Sequence, residues 1–300
     1  MGLIQGGRMK IEKTKLTKPP RMVIYGQHGI GKSTFAAHAP QVVFIQTEDG
    51  LDALGVDAFP LARSFEEVVS ALTYLATQQH NFRSVAIDSL DWLEKLIFRH
   101  VCEVAKVGDI AQLPYGRGYV AAENLWKEVL DLLTTLRDAK KMYVILLAHA
   151  QIQKFEDPER ENYDRYNLDL QKKGAGLVCE FADIIGYCSY KISTVSKDSG
   201  FGQTVTKAKT TGERVLNLEE RPAFTAKNRY RLPAQIPLSW PALMAELKAG
   251  MVAVNGAGSL AGVPTPGNLA QAAAEHEAGK AKRAWEKAFP DLTLTEKGES

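Results

Sequence analysis

The stretch Gly26-Gln27-His28-Gly29-Ile30-Gly31-Lys32-Ser33-Thr34 places three glycines ahead of a lysine and two hydroxyls. Glycines in such a loop let successive backbone N–H groups turn inward around an anion. A helix starting directly behind adds its positive N-terminal end. Lys32 would lie along the outer phosphates of a nucleoside triphosphate, and the Ser33 hydroxyl would complete the shell of a Mg²⁺ ion. Residues 26–34 are therefore the candidate nucleotide contacts, with ATP and Mg²⁺ as the expected ligands.

A magnesium ion held by Ser33 also needs an acid from a nearby strand. Asp88, closing the run SVAID at 84–88, is the candidate metal-side acid. Hydrolysis further requires a group that orients and activates water. Asp88 is followed by Ser89, so no second acid adjoins it. The tip of the intervening run VVFIQ at 42–46 carries Thr47, Glu48 and Asp49. A carboxylate there faces the crevice where open α/β sheets bind ligands. Glu48 is the candidate base and Asp49 the second choice.

The elements that must position these groups alternate along the chain. RMVIY at 21–25 reads as a strand, and the helix from Lys32 is ended by Pro40. Residues 42–46 read as a second strand. Ser64 and Glu67 form a capping box before a helix with Phe65, Val68, Val69, Leu72 and Leu75 on one face. SVAID is a third strand. After PYGRGY comes a long helix aligned by Leu125, Val129, Leu132, Leu133 and Leu136, and MYVILLA at 142–148 is the fourth strand. The reading from 152 to 176 is a long polar loop, followed by a strand over 182–195 and hairpins to about 232, with turn signals at KDSGFG and TTGE. This alternation predicts an α/β fold, a mainly parallel sheet flanked by helices, with C-terminal β-hairpins and a helical tail. The expected organisation is a basic N-terminal arm over 1–20, an ATPase core over 21–249, a Gly/Ala/Pro-rich linker over 250–267 and a helical tail over 268–300.

Composition sets bounds on partners. Hydrophobic residues make up 45% of 300, enough for a substantial core. A net charge of +2 carries no general affinity for polyanions, so any such affinity must come from local clusters. Cys102, Cys179 and Cys188 show no paired metal spacing, and reduced thiols in a cytoplasmic protein are the expectation. No apolar run is long enough to span a bilayer, and no membrane partner is expected.

With the glycine loop followed by VVFIQTEDGLD and by Asp88-Ser89, the chain resembles the RecA-like P-loop ATPases. In RecA recombinases the glutamate after the second strand activates water, which supports Glu48. The resemblance also implies a polar sensor at the end of the fourth strand. Here that segment reads Leu147-Ala148-His149-Ala150-Gln151 in place of the family's Asn-Gln or Gln, so His149 faces the γ-phosphate side, with Gln151 the alternative. FTAKNRYRLP at 224–233 resembles the Lys-x-Arg segment that reaches a neighbouring subunit's ATP, which makes Lys227 and Arg229 trans-acting fingers in a filament or ring. The order of these parts is most similar to the compact, phage-encoded Sak-type ATPases of recombination and single-strand annealing. The resemblance spans about 20–245.

In that family two irregular segments line the DNA axis. Tyr115, Arg117 and Tyr119 flank glycines in the first, a composition suited to base stacking and phosphate contact. The second offers Lys154, Arg165, Lys172 and Lys173, set against Glu156, Asp157, Glu159, Glu161 and Asp164. Single-stranded DNA is the expected partner, with a single-stranded-DNA-binding protein or another replication partner as a further candidate. The competing reading is an ATPase that works on protein partners, such as a helicase loader.

Overall fold

The computed structural model describes residues 18–156, 161–198 and 204–255. The glycine-loop strand β1 (Arg21–Gly26) leads into helix α1 (Lys32–Ala37), then β2 (Val42–Gln46) and the short β3 (Asp57–Ala58). Helix α2 (Phe65–Thr77) precedes β4 (Ser84–Asp88), α3 (Leu90–Ala105), α4 (Arg117–Ala139) and β5 (Tyr143–Phe155). Then come β6 (Tyr163–Leu168), α5 (Lys172–Phe181), β7 (Ile184–Asp198), β8 (Thr204–Asn217), β9 (Lys227–Asn228), β10 (Gln235–Pro237) and α6 (Trp240–Asn255).

The sheet runs β10-β8-β7-β1-β5-β4-β2-β3. The strands from β7 to β3 are parallel, while β8 and β10 extend the β7 side antiparallel. Strand β5 stands between β1 and β4, so one strand separates the glycine loop from Asp88. The sheet is covered on both faces, which explains why its central strands are continuous apolar runs. Alternate residues divide between the faces: Val23 and Tyr25 pack with α2, α3, α4 and α5, whereas Met22 and Ile24 pack with α1 and α6. This is an α/β fold with a mainly parallel sheet flanked by helices, as the alternation predicts.

The capping box at α2 forms in a shifted version. Ser64 Oγ accepts from the Glu67 N–H at 3.3 Å, but the Glu67 carboxylate reaches back to the Arg63 N–H at 2.7 Å. Both bonds satisfy donors at a helix start, which is the purpose of the motif.

Several expectations require correction. Helix α3 was not anticipated: it follows Asp88 almost at once, and its Leu90, Leu93, Leu96, Ile97 and Val101 are buried along one face. The long loop over 152–176 is instead a ribbon and a helix: β5 continues to Phe155 and pairs antiparallel with β6, and α5 begins at Lys172. TTGE is not a turn. It lies within β8, where Gly212 takes a φ of 77° close to an irregularity in the register between β7 and β8. In KDSGFG, residues 199–202 lie outside the described residues. Helix α6 runs to Asn255, so the expected linker begins inside a helix. The remainder of that linker, the tail over 268–300 and arm residues 1–17 lie outside the described residues.

Candidate functional site: a nucleotide crevice at the strand ends

Parallel strands end together, so residues far apart in sequence meet at one edge. Register places Gly26 beside His149 on one side and Cys188 on the other, and Gln46 beside Asp88. A Cβ on Gly26 would stand 2.8 Å from the Cys188 carbonyl oxygen, so glycine is what lets β1 and β7 approach there. Gly29 and Gly31 take φ of 71° and 101°, the left-handed turn that folds the loop over the start of α1.

The crevice holds about 460 Å³ and is lined by the glycine loop, Glu48, Asp49, Asp88, His149 and Arg214. Lys32 is 6% exposed, and its amine donates to the Gly26 and Gln27 carbonyls at 3.1 Å each. Burial lowers its pKa, while Cys188, Asp88, Asp91 and Glu48 act in the opposite direction. Ser33 Oγ donates to Asp88 Oδ2 at 2.6 Å, which joins the two groups expected to share a magnesium ion. Burial raises Asp88 above the ordinary carboxylate range, against the Ser33 bond and the Lys32 charge. An arriving dication would remove that penalty. The hydroxyl and carboxylate fit a hard cation of Mg²⁺ type.

Glu48 is held at the tip of β2 by its neighbours. Thr47 N–H and Glu48 N–H both donate to the Asp88 carbonyl, at 2.8 and 3.2 Å. Thr47 Oγ1 donates to the Ser89 carbonyl at 2.7 Å, and Ser89 Oγ donates to Glu48 Oε2 at 3.2 Å. The carboxylate is thus fixed beside Asp88 while facing the crevice. Asp49, the second choice, lines the same crevice.

His149 sits in the crevice and is buried. Asp91 fixes it: His149 N–H meets Asp91 Oδ1 at 3.1 Å, and Nδ1 lies 3.0 Å from Asp91 Oδ2. Burial pushes the Asp91 carboxyl up, yet the bonds and charge from His149 outweigh this and hold it below its usual range. Asp91 was not anticipated. Its signal was the spacing Asp88-x-x-Asp91, which carries an acid into the first turn of α3. Gln151, the alternative sensor, is occupied elsewhere: its amide donates to the Leu168 and Leu170 carbonyls. Arg214 on β8 was also unforeseen. A Cβ on Gly31 would lie 2.8 Å from its Nη1, so the guanidinium rests against the glycine loop.

The remaining expected residues lie elsewhere. Lys227 and Arg229 are near the start of β7, at the opposite end of the sheet from this chain's own crevice. The Lys227 amine donates to the Cys179 and Glu180 carbonyls at the end of α5, and Arg229 Nη1 donates to Asp183 Oδ1 at 3.2 Å. Tyr115 is fully exposed, with a φ of 56°, ahead of Arg117 at the start of α4. Tyr119 instead packs edge-on against Phe98. Lys154 is exposed on β5. Arg165 is turned inward and buried, bonded to Glu220 and the Phe224 carbonyl, so its charge is engaged within the fold. Lys172 and Lys173 are exposed in the first turn of α5, with Lys173 3.4 Å from Glu123.

A glycine loop, a buried lysine, a serine–aspartate pair and a strand-tip glutamate on this sheet define a P-loop ATPase. Residues 18–230 match the family model described as an AAA domain, and the chain belongs to that family. No curated protein matches it. Among solved structures the chain is similar to the flagellar accessory protein FlaH from Methanocaldococcus jannaschii. That similarity is at 11% identity with a TM-score of 0.28, covering 70% of this chain and 91% of that one. Among the described residues no helix is long and apolar enough to cross a membrane.

Proposed function

We propose that the protein hydrolyses ATP with Glu48 as the water-activating base and couples that step to single-stranded DNA, promoting annealing or strand exchange of the phage recombination type. Lys32 and the loop N–H groups hold the phosphates, Ser33 and Asp88 hold Mg²⁺, and His149 reads the γ-phosphate. The observation that carries the DNA coupling is the continuity of β5. One strand runs from His149 in the crevice to Lys154 and Phe155 on the exposed β5–β6 ribbon. A change at the γ-phosphate therefore has a rigid element leading to the outer surface.

DNA contact then rests on Tyr115, Arg117, Lys154, Lys172 and Lys173, without Arg165 or Tyr119. Because Lys227 and Arg229 stand far from this chain's own crevice, their role on ATP is on a neighbour's, in a filament or ring. Turnover measured with and without single-stranded DNA at low salt tests the reading. Stimulation that falls in Tyr115→Ala and Lys154→Ala supports it; absence of both stimulation and binding overturns it.

One observation favours action on a protein partner instead. Ile152 and Phe155 are exposed on opposite faces of the same ribbon, and apolar side chains there suit a protein surface. Retention of a purified helicase on the immobilised protein, with no DNA affinity, would establish that alternative.

A further inference from the structure

The crevice contains more donor atoms than magnesium and a phosphate need. His28 from the glycine loop stacks on His149, ring centroids 3.7 Å apart with 23° between planes. One nitrogen from each ring and an oxygen of Glu48 all lie within 4.8 Å of one another. Two imidazoles and a carboxylate are a poor set for Mg²⁺, which favours oxygen throughout. They match the three-ligand pattern of zinc centres that keep a fourth position open.

A second contact strengthens the match. Metal-bound histidines nearly always give their second ring nitrogen to a carboxylate, which fixes the tautomer and the ring direction. Asp91 does this for His149: with Nδ1–H donated to Asp91 Oδ2, the lone pair of Nε2 remains available, while Glu48 Oε2 lies 3.9 Å from Nδ1 and must rotate towards Nε2. The backbone N–H of His149 donates to the other Asp91 oxygen and so holds that carboxylate in place beside the ring. Closing the set around an ion needs ligand atoms about 2 Å from it, so the Glu48 carboxylate and His28 must both move. His28 can do so, because it is exposed on the loop and followed by Gly29.

We infer that His28, Glu48 and His149 form a site for a transition-metal dication of Zn²⁺ type in the nucleotide-free protein, with Asp91 orienting His149. The site differs from the Ser33–Asp88 magnesium position in its donors. It occupies ground where the outer phosphate and its water belong, so the ion and the triphosphate exclude one another. Donor geometry alone defines this site, whether or not Glu48 acts as the catalytic base.

The test uses the full chain without nucleotide, in excess Mg²⁺, titrated with Co²⁺ as the visible stand-in for Zn²⁺. The expected result is a d–d absorption band that saturates at one equivalent and is abolished by Zn²⁺ or by Mg²⁺-ATP. His28→Ala and His149→Ala should each remove it, and Asp91→Asn should weaken binding about 10- to 100-fold. His28→Ala alters an exposed loop residue, so its result stands even if His149→Ala fails to fold. The proposal is overturned by no band at one equivalent, or by a band that survives His28→Ala. A surviving band with sulfur charge transfer would place the ion at the thiols of Cys102, Cys179 or Cys188.

Discussion

Replacing Asp183 by Asn should destabilise the protein far more than its surface-edge position suggests. Asp183 follows α5 and precedes β7, and it is buried. Its carboxylate accepts from Arg21 N–H at 3.0 Å, Arg21 Nε at 3.1 Å, Arg21 Nη2 at 2.9 Å and Arg229 Nη1 at 3.2 Å. Arg137 Nη1 stands 3.6 Å away. Asparagine keeps the shape but loses the charge and turns an NH₂ towards guanidinium donors. Two charge-assisted bonds at about 1.5–3 kcal/mol each are lost, and the arginines are left without their counter-charge. The expected cost is about 3–5 kcal/mol, a large part of a typical domain's stability and about 10 °C in Tm.

The pH dependence gives an independent check. Burial pushes the Asp183 carboxyl up, but the Arg21 bonds and the Arg21 and Arg137 charges outweigh it and hold it below the ordinary range. A depressed carboxylate contributes stability above its unfolded pKa of about 4, and that contribution is lost as pH falls through the folded value. Urea denaturation of wild type and Asp183→Asn at pH 7 should differ by the full amount, and the gap should shrink steadily below about pH 4. A difference under about 1 kcal/mol at pH 7, or one that does not change with pH, would refute the reasoning.

Other outcomes follow from the same geometry. Lys32→Ala should abolish detectable binding of a fluorescent ATP analogue by equilibrium titration, because Lys32 is the buried cation that α1 supplies to the loop. Arg214→Ala should weaken that binding about tenfold, since one phosphate-facing charge-assisted bond is removed; equal affinity would take Arg214 away from the phosphates. Arg229 is 53% exposed, so Arg229→Ala should cost about 1 kcal/mol or less in denaturation. Turnover of that variant separates its roles: a loss that mixing with Lys32→Ala chains partly restores marks a finger acting across an interface.

Much of the site was legible because its parts are local. RMVIY, VVFIQ and SVAID are short apolar runs with functional residues at or just past their tips, and β1, β2 and β4 match them closely. Helix α3 carries an ordinary apolar stripe but follows β4 with only Ser89 between, so no turn signal marks its start. The β5–β6 ribbon is hidden by its chemistry: its alternating polar residues read as a loop until the two strands are paired. In α5, the glycines of KKGAGLVCEF read as loop, yet Gly174 is a packing residue, since a Cβ there would lie 2.9 Å from Trp126 Nε1. Arg214 joins the crevice only through pairing of distant segments, which no local pattern encodes, whereas Asp91 was marked by its spacing from Asp88 and meets His149 only in the fold. Arg165 and Tyr119 show the reverse: their types suit DNA, while their partners Glu220 and Phe98 are invisible until the chain is folded.

The central claim is that Glu48 turns a held nucleotide into a hydrolysed one. Glu48→Gln keeps the side chain's size and still lets its oxygen accept from Ser89, but removes the base. The decisive measurement is phosphate release from Mg²⁺-ATP by this variant, alongside its affinity for ATP. Wild-type-like affinity with turnover reduced about 100-fold or more is the predicted result. Wild-type-like turnover in Glu48→Gln would contradict it.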